Sequence, residues 1–204
     1  MLSRRLITPT APGEYVLILD DDATINNEQH LNVANVQLTL IGVGKEITVR
    51  STSGSGRTFV IAANNASLTL GKNITLAGNT VNVSDFMIDV SNGTLNMLEG
   101  SKITGHTTSV VTGAITIYGT NTYFNMKGGE ITGNHTTSNH EQSTGGVYVN
   151  YGATFTMSGG SITGNTRGDA LQPRDVYLNG AESITKSSHT GGVIGVAIPA
   201  LPWN

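Results

Sequence analysis

The sequence predicts an all-β fold, a right-handed single-stranded parallel β-helix of about six coils, each of roughly 30 residues and three strands. Three observations carry this expectation. The words MKGGEITGN (126–134) and MSGGSITGN (157–165) agree in seven of nine letters at an offset of 31 residues. Between such words lie short runs in which apolar and polar residues alternate, the mark of a strand with one buried face. The composition is poor in charge (12%) and in aromatic residues (5%) but holds 26 Gly in 204 residues, which suits many corners and argues against a helical bundle.

From the N-terminus, residues 1–33 are expected to form a cap. GEYVLILDDDATINNEQHLNV (13–33) holds a strand-like run from Tyr15 to Leu19 ahead of an acidic triple. An open solenoid end exposes unpaired strand edges and core, so this stretch is expected to cover the first coil. The coils themselves occupy residues 34–190. Their words are QLTLIGVGKEITVRS (37–51), SLTLGKNITLAGN (67–79), TLNMLEGSKITGH (94–106), YFNMKGGEITGN (123–134) and TFTMSGGSITGN (154–165). A degenerate row, DVYLNGAESITKS (175–187), follows. A third run stands before most words, as in FVIAANNA (59–66), FMIDVSNG (86–93), AITIYG (114–119) and GGVYVNYG (145–152).

Stacking the rows predicts the core. One inward column is Leu68, Leu95, Phe124 and Phe155, with Leu70, Met97, Met126 and Met157 beside it. Ile74, Ile103, Ile131 and Ile162 form a second column, extended by Ile47 and Ile184, and Ile88, Ile115 and Val147 a third. No coil buries its inner face alone, so stability must come from stacking. The last segment, GGVIGVAIPALPWN (191–204), is expected to cap the far end, with Pro199 and Pro202 stopping further strand.

Two outward columns and one corner column are also legible. Thr48, Thr75, Thr104, Thr132 and Thr163 each follow an isoleucine of the column, and Thr39, Thr69, Asn96, Asn125 and Thr156 run parallel to them. β-Branched threonine favours exposed strand positions, which accounts for the column without further function. A flat threonine array would also suit an ice surface, and that is one alternative function. Asn79, Asn134 and Asn165, with His106 as one rung, follow the corner glycines and are expected to form a structural ladder.

Features with chemical content are few. A net charge of −3 gives no basis for nucleic-acid binding, and the absence of cysteine excludes disulfides and thiolate metal sites. No run of 18 apolar residues spans a membrane. No cofactor is expected, and calcium is the one ion considered. In LDDDA, Asp20 and Asp22 would point the same way and are the candidate calcium ligands, although a solvated turn is the preferred reading. His135, His140 and Glu141 share the longest corner (133–146) and form a second, weaker metal candidate. Asp89, Thr116, Tyr148 and Tyr177 fall at equivalent outward positions of successive coils and form the candidate ligand-binding face.

The string GGVYVNYGATFTMSGGSITGN (145–165), followed by DVYLNGAESITKSSHTGGVIG (175–195), resembles the repeat arrays of bacterial cell-surface proteins. These are adhesins and polymorphic outer-membrane proteins, and they share the right-handed β-helix of pectate lyases. The resemblance implies an extracellular or cell-surface location. Because MLSRRLITPTAPGEY lacks the apolar stretch of a signal peptide, it also implies a leader removed upstream. The function so implied is a non-enzymatic, adhesin-like or structural module that contacts glycan or a host surface protein. A carbohydrate-active enzyme is the alternative. Polysaccharide lyases of this fold use an acidic calcium cluster with an arginine or lysine base, whereas Asp89 is the single carboxylate on the run 86–93.

Overall fold

The computed structural model describes residues 8–180 and the backbone of the strands Ile184–Lys186 and Val196–Ala197. It is a parallel β-solenoid of about five turns, with about 29 residues per turn and no helix among the described residues. None of these residues therefore belongs to a helix long and apolar enough to cross a membrane. Every coil folds for the same reason. Alternating residues place one set of side chains inward, and each strand finds the hydrogen-bond partner it lacks in the coil before and after it.

The strands lie on three faces. The phenylalanine face begins with Gly13–Leu19 and Val36–Gly42 and continues through parts of Phe59–Leu70, Ile88–Met97, Thr122–Thr132 and Thr154–Thr163. Leu38, Leu68, Leu95, Phe124 and Phe155 stack there in register. Leu70, Met97, Met126 and Met157 stack beside them. Both columns match the expectation. The Phe124 and Phe155 rings stack at 4.9 Å and 11°, as offset aromatic pairs in a dry core do. On the outer side of this face Asn125 donates to Asn96 Oδ1 at 3.1 Å, and Asn96 donates to Thr69 Oγ1 at 3.2 Å. Asn125→Ala should cost about 1 kcal/mol in urea denaturation, the worth of one net hydrogen bond. An unchanged midpoint would show that the outer ladder adds nothing.

The tyrosine face comprises Gln29–Leu31, the start of Phe59–Leu70, the start of Ile88–Met97, Ile115–Ile117, Val147–Val149 and Val176–Leu178. Phe59, Ile88, Ile115, Val147 and Val176 form its inward column, which contains the three residues expected there.

The isoleucine face differs from expectation. Ile103, Ile131 and Ile162 are in register, but Ile74 stands opposite Ser101, and Leu76 takes the place opposite Ile103. The cause is the place of the isoleucine on its strand. The corners 71–73 and 98–100 are equally long, but Ser101 and Lys102 open the next strand ahead of Ile103. An offset of two keeps every inward residue inward. Ile74 is still fully buried, and Ser101 covers its polarity by donating to Leu98 O at 2.7 Å.

The same shift splits the threonine column. Thr75 now faces Lys102, and Thr104 faces Ala77. Thr104, Thr132 and Thr163 remain aligned, as do Thr48 and Thr75. Lys102 pairs with Glu130 at 3.5 Å in the interrupted stretch. A groove of about 460 Å³ runs there, lined by Glu46, Thr75, Glu99, Lys102, Glu130 and Ser161 among others. The flat threonine array on which the ice-surface alternative depended is therefore not continuous.

Later coils also carry a fourth strand beyond the three expected. Thr107–Thr108, His135–Thr136 and Thr166–Arg167 pair in parallel, and Gln172–Pro173 closes this small sheet in antiparallel fashion. The stretch 13–31, expected as a cap, is itself a coil in parallel register with the next one. Of the expected cap over 191–204, the strand Val196–Ala197 pairs with Val176–Leu178. The remainder of that segment lies outside the described residues, as does the side chain of Ile184.

The asparagine ladder is internal. Asn134 Nδ2 donates to Asn165 Oδ1 at 2.9 Å, and Asn165 Nδ2 donates to Asp175 Oδ1 at 2.9 Å. The side chains also satisfy the turning backbone, since Asn165 Nδ2 reaches Ile131 O at 2.9 Å. At the other end the backbone N–H of His106 donates to Asn134 Oδ1 at 3.1 Å. Asn79 stands apart from the amide chain, half-buried, with its Nδ2 3.5 Å from Ser53 O.

Candidate functional site

The tyrosine face sets four outward residues in one row. Asp89, Thr116, Tyr148 and Tyr177 are neighbours across successive strands, and Val60 and His30 extend the row toward the first coil. The expected juxtaposition is present, but the row is not an open platform. Asp89, Thr116, Tyr148 and Tyr177 are only 5%, 4%, 5% and 3% exposed. The two tyrosine rings stack on each other at 5.4 Å and 25°, so their faces are spent on cross-strand packing. Burial, with Tyr177 and Tyr151 nearby, pushes the Tyr148 hydroxyl above the ordinary tyrosine range.

Three carboxylates and one guanidinium meet around Asp89. Arg57 Nη2 pairs with Asp85, while its Nη1 lies 3.8 Å from Glu28 Oε2 and 4.0 Å from Asp89 Oδ2. The guanidinium also sits 5.0 Å from the centre of the Phe86 ring, within cation–π range. The Tyr118 side chain is near enough to act on the Asp89 carboxyl. Burial lifts the Asp89 carboxyl above its usual value, and the Arg57 charge and Tyr118 only partly oppose this. Burial and the neighbouring Asp89 charge lift Tyr118 in turn.

Arg57, Glu28 and Asp85 were not among the expected site residues, because they stand in corners of unequal length that no repeat word covers. A usable signal existed. Glu28, Arg57 and Asp85 follow one another at close to one coil, with alternating sign, just ahead of strands that pair. The cluster ties three coils by charge. Its floor is polar and incompletely satisfied, since Asp89 Oδ1, Thr116 Oγ1 and Arg57 Nε are buried without a hydrogen-bond partner. Such atoms carry a desolvation cost, and all three are closed off from solvent in this structure.

The metal candidates are placed otherwise. Asp22 Oδ1 accepts the backbone N–H of Thr48 at 2.8 Å, and Asp21 pairs with Lys45 at 3.0 Å. Hydrogen bonding to Lys45 and to the Asp22 N–H holds the Asp21 carboxyl below its usual range. His135 Nδ1 lies 2.9 Å from Thr166 Oγ1, and the His140 carbonyl accepts from Arg167 at 2.6 Å. The Glu141 carbonyl accepts from Arg174 at 3.2 Å. Among the described residues no group of three or more His, Cys, Asp or Glu side chains converges as a metal site would.

The chain matches no protein-family model, and no curated protein or solved structure is significantly similar to it. The likeness to cell-surface arrays thus rests on the repeat words themselves.

Proposed function

We propose that this chain is a non-enzymatic β-solenoid module of an adhesin-like or structural kind, displayed outside the cell or at its surface, with sides that contact glycan. The observation that carries this reading is how the charges are used. Arg57 engages Glu28, Asp85 and Asp89, and Lys102 engages Glu130, so these ionic groups are committed to holding coils together. Neutral Asn, Thr and Tyr side chains make up much of the remaining outer columns. They recur at the strand spacing of about 4.8 Å, a repeat close to the length of one sugar unit. Asp89 Oδ1 and Thr116 Oγ1, unpaired and closed off in this structure, would give an acceptor and a donor to a ligand hydroxyl that displaced their cover.

A second reading draws on the same floor. A raised Asp89 carboxyl beside Tyr118 and Arg57 has the parts of a general acid, so polysaccharide cleavage is the competing activity. The test is retention on cellulose, chitin, xylan and polygalacturonate, with simultaneous assay of new reducing or unsaturated ends. The expected result is retention without cleavage, weakened about tenfold in Asp89→Asn/Thr116→Val. New chain ends that vanish in Asp89→Asn would favour the enzyme instead. Absence of both retention and cleavage would sink the glycan reading.

A further inference from the structure

One corner of the solenoid carries a slot that the Asp89 floor does not include. Where the tyrosine face turns into the phenylalanine face, Asn35, Asn65 and Asn121 adopt left-handed backbone at φ of 61°, 55° and 61°. In the coil between Asn65 and Asn121, Gly93 stands in register with Thr122, and Asn92 before it carries the amide. Gly93 itself cannot carry an ordinary side chain: it has φ of 128°, and an inward Cβ on it would lie 2.6 Å from Ala66 O and 2.9 Å from Ile61 Cγ2.

At this corner lies a groove of about 340 Å³ lined by Asn64, Asn65, Gly93, Thr94, Asn121 and Tyr123. That volume falls at the small end of ligand sites, which begin at about 300 Å³. Tyr123 forms one wall and is 43% exposed. Its neighbours in register are Thr94 and Thr154, both too small to cover the ring.

The chemistry of the lining selects a ligand class. No lining residue carries a charge, so neither a phosphate nor a carboxylate nor an ammonium group would find a counter-ion. The amides retain hydrogen-bonding capacity. Asn65 spends a donor on Asn35 Oδ1 at 3.2 Å, and Asn64 accepts from Asn92 at 3.1 Å, which leaves an amide oxygen on the first and amide donors on the second. Asn92 Oδ1, behind them, is buried without a partner. Asn121 makes no side-chain hydrogen bond among the described residues. An aromatic face beside several uncommitted amides matches a ring with one apolar side and a fringe of hydroxyls.

We propose that this corner is a binding subsite for a neutral pyranose unit of an oligosaccharide, stacked on Tyr123 and hydrogen-bonded by Asn64, Asn65 and Asn121. The proposal rests on the glycan-contact reading above and gives it a ligand class and a second place on the rod. Gly93 lies four residues along the chain from Asp89, so one oligosaccharide reaching around the corner would pass over both.

Titration with cellohexaose, mannohexaose and chitohexaose, and with hexagalacturonate as the charged comparator, tests it by NMR on the intact chain. Binding should shift the Asn121 and Asn65 side-chain amide signals and the Tyr123 ring signals for at least one neutral sugar. Tyr123→Ala should weaken binding about tenfold, and Tyr123→Trp, which keeps a stacking face, should preserve it. Tyr123 is a surface residue, so both variants should retain the wild-type melting curve. Asn121→Gly keeps the left-handed corner accessible, removes the amide, and should also weaken binding. If Tyr123→Ala binds as well as wild type while Asp89→Asn/Thr116→Val does not, the subsite is wrong and the glycan reading stands. If none of the four sugars shifts any signal at 10 mM, a concentration of order far above useful lectin affinities, both are overturned. A preference for hexagalacturonate would also reject the neutral-sugar assignment.

Discussion

Asn165→Leu is expected to remove about 3 to 5 kcal/mol of stability, read as a lowered urea midpoint with the denaturant slope unchanged. Asn165 is fully buried and occupies the centre of a hydrogen-bonded chain. Its Nδ2 serves Asp175 Oδ1 and Ile131 O, and its Oδ1 receives both the backbone N–H of Asn134 at 3.2 Å and Asn134 Nδ2 at 2.9 Å. A leucine of similar volume restores the packing but none of these partners. The Asp175 carboxylate, itself buried, would keep only the Asn165 backbone N–H at 2.8 Å. By contrast Ile103→Val, which trims one methyl from the neighbouring column, should cost about 1 kcal/mol. A loss below that value for Asn165→Leu would mean that the ladder is not what holds these corners.

His106 gives the rod a dependence on pH. The ring is fully buried, with Nε2 2.9 Å from Asp85 O and Nδ1 buried without a partner. Burial lowers its pKa from the ordinary value, against weaker opposing effects of the Asp85 backbone and carboxylate. Asp85 is the titratable residue facing the ring, and its carboxylate is held by Arg57. The unfolded chain therefore binds a proton near pH 6.5 that the folded chain still refuses. Stability should be level above about pH 7 and fall below about pH 6.5, by at most about 1.4 kcal/mol per pH unit, until the folded ring protonates in turn. In His106→Asn that decline below about pH 6.5 should disappear, even if the smaller side chain costs stability at every pH. Equal pH profiles for the two proteins would assign the decline elsewhere. So would an NMR titration of the folded ring at the value of free histidine.

What the sequence disclosed depended on corner length. Leu95, Phe124 and Phe155 were legible as a column because nearly equal coils separate them, and alternation marks the buried side of each strand. Asn134 and Asn165 were legible for the same reason. Ile74 was misaligned with Ile103 because aligning ITLAGN with ITGH conceals Ser101 and Lys102, which stand ahead of Ile103 on its strand. Letters align by likeness, whereas strands align by the distance from the previous corner. Asp175 escaped notice because it enters the ladder from a different loop. Arg57, Glu28 and Asp85 escaped because their corners vary freely. The burial of Tyr148 and Tyr177 was not readable either. Outward on a strand means away from that coil's core, and whether a neighbour then covers the residue is a tertiary matter. The Tyr123 slot needed the structure for a simpler reason, that a groove has no letter of its own.

The Arg57 tie also has a mechanical meaning. Drawn out by its ends, a solenoid releases chain one winding at a time, and each winding is a length in reserve. From Thr94 to Tyr123, 29 residues separate one coil from the next, which at about 3.5 Å per extended residue is about 100 Å of slack. Coils joined only through their strands can come away singly. The first three, tied to one another by Glu28, Arg57, Asp85 and Asp89, have ionic contacts to break besides their strands. One stretch of the rod is thereby stiffened against tension, and the rest is left to yield before it.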